Sequence, residues 1–206
     1  IAHIRGGMEK GKKWYENGKK KNKLNSFKDF ITCAEFLKKE NISKNITIHG
    51  GSAGGLLIGA SLNISPDTFH CAVAEVPFVD VLNTILDDTL PLTPPEWEEW
   101  GNPIKNKSDF DYIGSYSPYD NIKEQNYPTI LATSGLTDPR VTYWEATKWI
   151  AKLRSKKTND NPLFLKTYTE AGHGGMAGRY NQIKETAFIY AFILWRNNLI
   201  KRPFTR

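Results

Sequence analysis

Only two cysteines, Cys33 and Cys71, occur in the 206 residues. Two thiols so far apart supply neither a disulfide framework nor the closely spaced ligand pairs of a structural zinc site, which suits a reducing compartment and makes the cytoplasm the expected location. No apolar run approaches the roughly 18 residues that a bilayer span needs, so the stretch from Ala187 to Trp195 reads as a buried helix and no membrane contact is expected. A phosphate loop would need Gly-Lys-Ser/Thr after its glycines, and that tripeptide is missing. There is no internal repeat, and neither a cofactor nor a metal is expected. Acidic residues are scarce in the first quarter of the chain, where Lys10, Lys12, Lys13, Lys19, Lys20, Lys21 and Lys23 crowd together. Apart from Trp14 and Tyr15 that run lacks the interleaved aromatics of a nucleic-acid surface, so it reads as a solvated loop and no nucleic-acid partner is expected.

What the chain does contain is a core and an alternation. The hydrophobic content is 39%, with six tryptophans, enough for one globular domain over residues 1–206. Ile1 to Ile4 reads as the end of a strand. From Ser26 to Glu40, Phe27, Phe30, Ile31, Ala34 and Leu37 recur at helical spacing, with Ser26 placed to cap the helix and Asp29 three residues on. A strand around Ile46 to Ile48 follows, then a glycine-rich turn and an apolar helix, then a strand at Cys71 to Val76 stopped by Pro77. Residues Phe78 to Asn126, rich in proline and acid, read as an irregular or short-helical insertion. Alternation resumes with a strand at Thr129 to Ser134, a helix at Tyr143 to Arg154, a strand at Leu163 to Tyr168 and a closing helix at Tyr180 to Asn197. This order predicts an α/β fold, a mostly parallel sheet with helices on both faces and working groups at the carboxyl ends of the strands.

The turn between the second strand and its helix is Gly50-Gly51-Ser52-Ala53-Gly54-Gly55. It fits G-x-S-x-G, in which a sharp strand-to-helix turn holds a serine in a strained conformation at the head of a helix. The helix N-terminus favours an anion there, and the Ala53 N–H is the natural first oxyanion donor. A nucleophilic serine needs a base, and the base needs an orienting carboxylate, in the chain order Ser, Asp or Glu, His for this fold. Asp138 follows the strand "TILATSG" and His173 follows "LFLKTY", between glycines, so both fall at carboxyl ends of strands. Glu170 rivals Asp138 by proximity to His173. His3, His49 and His70 lie in or beside strands and are poorer bases.

The segments "HIRGG", "GGSAGG", "VPFVDV", "PLTPPEWEEWGNP", "SYSPYDNI", "GLTDPRVTYWEATKWIAKLR" and "GHGG" together resemble the catalytic domain of the prolyl oligopeptidase family of serine peptidases, in its oligopeptidase B branch. The resemblance implies an α/β-hydrolase fold and cleavage of short peptides after Arg or Lys through an acyl-enzyme, with Ser52, Asp138 and His173 as the triad. It implies that Glu96 and Glu98 receive the basic side chain and that Arg140 binds a substrate carbonyl. It also implies a propeller and further strands before "HIRGG", one of them beside the strand that carries Ser52. A chain that begins at Ile1 without methionine is therefore expected to be N-terminally truncated, with short basic peptides and the missing propeller segment as its partners. An inactive remnant that needs its other half is the alternative expectation, and an esterase on the same scaffold a third.

Overall fold

Four parallel strands, β1 (Thr47–Gly51), β2 (Cys71–Glu75), β3 (Thr129–Gly135) and β4 (Leu163–Tyr168), lie side by side in that order in a computed structural model that describes residues 1–201. The last five residues of the expected 1–206 domain lie outside that range. Parallel neighbours need crossovers, and helices supply them: α3 (Ala53–Ile64) between β1 and β2, α7 (Tyr143–Lys156) between β3 and β4, and the short α4 (Val81–Leu86), α5 (Thr93–Trp100) and α6 (Lys107–Gly114) between β2 and β3.

The two faces of the sheet are covered by different partners. On one, Ile48, Ala72, Ala74, Ile130 and Ala132 pack with Ile31 and Ala34 of α2 (Leu24–Lys39), Ile58 and Leu62 of α3, and Trp149, Ile150 and Leu153 of α7. On the other, Cys71, Val73 and Leu131 meet Ile189 and Phe192 of α8 (Arg179–Arg196). Alternate residues of β2 thus enter opposite layers, and all seven residues of β3 are buried, as expected for a strand covered on both sides. A third cluster of Phe27, Leu56, Phe78, Val81, Ile85, Trp100, Ile113, Tyr116 and Val141 binds the α4–α6 insertion to α2 and α3. Among the described residues no helix is long and apolar enough to cross a membrane.

Three local expectations differ from the structure. Ile1 to Ile4 form no strand; only an isolated bridge joins Arg5 to Gly7 nearby, because among the described residues no chain lies alongside to complete a ladder. Ser26 does not cap α2. The helix begins two residues earlier, at Leu24, and the buried Ser26 hydroxyl donates instead to the Arg5 carbonyl at 2.6 Å. The lysine-rich stretch is structured rather than a solvated loop, forming α1 (Lys12–Glu16) and a 3₁₀ turn at Lys20–Asn22. Part of its charge is matched by the insertion: Lys20 pairs with Glu98 at 3.0 Å, Lys21 with Asp109 at 2.8 Å and Lys23 with Glu99 at 2.7 Å. Opposite charges far apart in sequence find each other because the 3₁₀ turn packs directly against α5 and α6.

Candidate active site

At the carboxyl end of β1 the backbone turns sharply into α3. Ser52 occupies φ 54° and ψ −122°, a region that a side chain rarely enters. The surroundings hold it there. Its N–H donates to the Glu75 carbonyl at 2.9 Å, and its own carbonyl accepts from Gly55 at 2.8 Å and from Phe78 at 3.0 Å. The glycines around it have unequal work. A Cβ on Gly50 would stand 2.5 Å from the Gly54 carbonyl oxygen and one on Gly55 would stand 2.4 Å from Pro77 Cβ, whereas one on Gly54 would meet nothing within 4 Å. Close approach, not turn geometry alone, sets the pattern. Ala53 opens α3, where the first amides have no intrahelical acceptor, so its N–H is available at the positive end of the helix.

Two later loops meet at Ser52. His173 Nε2 lies 3.1 Å from Ser52 Oγ, and His173 Nδ1 lies 2.8 Å from Asp138 Oδ2. The Asp138 side chain is fully buried, and its other oxygen, Oδ1, accepts the N–H groups of Arg140 at 2.8 Å and Val141 at 3.1 Å. That carboxylate is thus fixed by its own loop and offers one oxygen to the ring. A proton on Nδ1 then leaves the Nε2 lone pair facing the serine hydroxyl. The loops are also tied to each other: Thr137 donates from N and Oγ1 to the Ala171 carbonyl, which approaches Gly135 so closely that a Cβ there would stand 2.4 Å away.

The remaining histidines are occupied elsewhere. His49 pairs with Glu75, His70 Nε2 bonds the Arg196 carbonyl at 2.7 Å, and His3 lies near Glu9. Glu170 is exposed and makes no hydrogen bond to the ring among the described residues. Burial pushes the Cys71 thiol up, and no group of three His, Cys, Asp or Glu residues is arranged to hold a metal among the described residues.

Glu96, Thr84 and Ile85 line a cleft with Ser52, Ala53, Arg140 and Val141. Glu96 accepts from the Trp100 indole at 2.7 Å, which orients its carboxylate. Arg140 is exposed and forms no ion pair among the described residues. Glu98 does not share this cleft. It points to solvent from the opposite side of α5, where Lys20 holds its carboxyl below the usual range, because two residues along a helix do not share a face. Glu99, three residues on from Glu96, lines a second, neighbouring cavity with Glu96, Ala53 and Lys23. Its hydrogen bond with Tyr15, 2.8 Å long, pushes that phenol up to about 12.

One buried group was not anticipated. Glu145, in the first turn of α7, is fully buried and is pushed up to about 7 by that burial, with the nearby Asp80 charge adding to the shift. The pattern carried a signal for it: Glu145 stands with Ala146 one turn before the buried Trp149 and Ile150, on a face where an acid needs partners.

A parallel α/β sheet with a strained serine at a strand-to-helix elbow, bonded through a histidine to a buried aspartate, has the architecture of the α/β-hydrolase fold, on which serine hydrolases are built. The chain belongs to the prolyl oligopeptidase family, whose profile matches residues 1–198. It is 50% identical over 195 residues to Protease 2 of Moraxella lacunata, covering 94% of this chain and 28% of that protein. Dipeptidyl aminopeptidase BI of Pseudoxanthomonas mexicana is 47% identical over 196 residues, with 94% and 27% covered. Among solved structures, oligopeptidase B from Trypanosoma brucei with covalently bound antipain superposes with a TM-score of 0.93 at 49% identity, over 97% of this chain and 28% of that one. The chain therefore spans little more than a quarter of the relatives it matches.

Proposed function

We propose that this chain is the catalytic portion of a serine oligopeptidase that cleaves short peptides after Arg or Lys. The observation that carries the reading is the Ser52–His173–Asp138 hydrogen-bonded series opening onto the cleft that Glu96 and Arg140 share. His173 takes the Ser52 proton as Oγ attacks the scissile carbonyl, and the Ala53 N–H receives the oxyanion. Asp138 holds the imidazole and balances its charge, and His173 returns the proton to the leaving amine. Water then releases the acyl group by the same route. Glu96 meets the guanidinium or ammonium of the residue before the scissile bond, while Glu98, turned to solvent and paired with Lys20, takes no part. Arg140 donates to a substrate carbonyl. The relatives' names fit a peptidase of this kind, and the low cysteine content fits a cytoplasmic one.

The test is a paired assay. Glu96→Gln lowers kcat/KM on a short fluorogenic Arg peptide by roughly a hundred-fold, since charged hydrogen bonds are lost, whereas Glu98→Gln leaves it within about threefold. Hydrolysis of an uncharged ester stays within about threefold. Equal losses on both substrates remove the pocket assignment.

A second reading is favoured by the open edge of the sheet: β1 pairs only with β2 among the described residues, and a groove lined by Ile4, Phe30, Leu37, Ile48 and Leu57 runs along its other side. On this reading the 206-residue chain is inert until a partner segment, propeller included, supports β1 and brings a second oxyanion donor. Loss of one donor typically lowers the rate by about a hundred- to a thousand-fold. The purified chain alone then turns over the Arg peptide at least about a hundred-fold more slowly than an intact relative, and comparable rates exclude this reading.

A further inference from the structure

Glu145 is the most completely buried carboxylate outside the triad, and its three partners all lie on one segment. Oε2 accepts the N–H groups of Val79 at 2.9 Å and Asp80 at 2.8 Å, and Oε1 accepts the Thr84 hydroxyl at 2.8 Å. That segment follows β2 and passes directly behind the elbow. Phe78 donates its N–H to the Ser52 carbonyl, and Pro77 presses against Gly55. Phe78, Thr84 and Ile85 also form the wall of the cleft that contains Glu96 and Arg140. Glu145 itself sits just beyond the loop that carries Asp138, with its N–H bonded to the Thr142 carbonyl at 3.0 Å. One carboxylate therefore joins the Asp138 loop to the segment that backs the elbow. The charged groups around it are Asp80, on the segment it holds, and Lys148 of its own helix, which is committed to Asp80.

We propose that Glu145 is a positioning residue for the substrate cleft, fixing the Phe78–Thr84 wall and, through Phe78, the backbone of Ser52. It touches neither substrate nor reacting atoms. Its partners are two backbone amides and a hydroxyl, so an uncharged acceptor in the same place does most of the work. In the Glu145→Gln variant the new side-chain amide oxygen takes both backbone amides, while its NH₂ group turns the Thr84 hydroxyl into an acceptor. Alanine removes all three bonds and leaves the amides buried without partners. The effect on the cleft rests on the substrate site proposed above; the effect on the elbow does not.

The experiment combines amide exchange by mass spectrometry with covalent labelling of Ser52 by two fluorophosphonates, one carrying a guanidinium and one a plain alkyl chain. Glu145→Ala is expected to raise exchange about tenfold across residues 77–86 and 51–56, with 71–75 and 129–135 unchanged, and to slow the guanidinium probe about tenfold while the alkyl probe changes less than about threefold. Glu145→Gln stays within about twofold of the parent on every measure. Thr84→Val, which deletes one of the three bonds, falls between them and guards against a failure of the alanine variant to fold. Exchange that rises uniformly over the strands, exchange unchanged at 77–86, or a glutamine variant as impaired as the alanine one overturns the proposal. If the parent itself shows no preference for the guanidinium probe, the basic-substrate reading fails, while exchange at 51–56 still decides whether Glu145 holds the elbow.

Discussion

Ser52→Ala abolishes covalent labelling by a fluorophosphonate and lowers peptide hydrolysis by about a million-fold. The magnitude follows from how the group acts: a nucleophile and its base work as a unit, and removing one member costs as much as removing both. Oγ stands 3.1 Å from His173 Nε2, on a backbone that three hydrogen bonds hold at φ 54°. Alanine keeps Cβ and should accept the same backbone, so the fold is retained. The check is mass spectrometry of the labelled protein together with a thermal melt of both forms. Labelling that persists in a folded Ser52→Ala protein means that another residue is the nucleophile.

Asp138→Asn is expected to lower kcat/KM by about 10⁴ with little change in stability. The reason lies in which oxygen is already spoken for. Oδ1 receives the N–H groups of Arg140 and Val141, and an amide replacing the carboxylate must keep its oxygen there, because its NH₂ group would oppose two donors. The NH₂ then occupies the place of Oδ2 and donates to His173 Nδ1. This forces the ring's proton onto Nε2, where it faces Ser52 Oγ, and the base is lost without any atom moving far. Initial rates on the Arg peptide, with the labelling rate as a second measure, test this. A loss smaller than about tenfold means that another group, with Glu170 the nearest in sequence, sets the tautomer.

Much of this was readable from local pattern. β1 to β4, α3 and α7 follow from strand-forming and helix-forming apolar runs, whereas α4 to α6 were legible only as an irregular or short-helical insertion; Ser52, Asp138 and His173, which the fold brings together, follow from G-x-S-x-G, the chain order of the three residues and strand-end placement. What escaped was decided by partners distant in sequence. Ser26 resembles a cap by residue type, but its hydroxyl is claimed by Arg5, 21 residues earlier. The lysine run and the acidic insertion are each visible alone, yet the pairing of Lys23 with Glu99 spans 76 residues. Glu96 and Glu98 look equivalent in a string, whereas a helix at about 100° per residue sends one to the cleft and the other to solvent. Glu145 was hidden by the helix that surrounds it, since its partners belong to the segment after β2.

Ser52 and His173 are 121 residues apart, and His173 and Asp138 are 35 apart. Every strand of the sheet must have found its parallel neighbour before these three side chains can meet, and such non-local pairings form slowly compared with helices. A collapsed chain with its helices in place, but with β4 not yet docked, has the serine and no base. On the reading proposed above, reactivity at Ser52 therefore reports that the loops after β1, β3 and β4 have all been brought together.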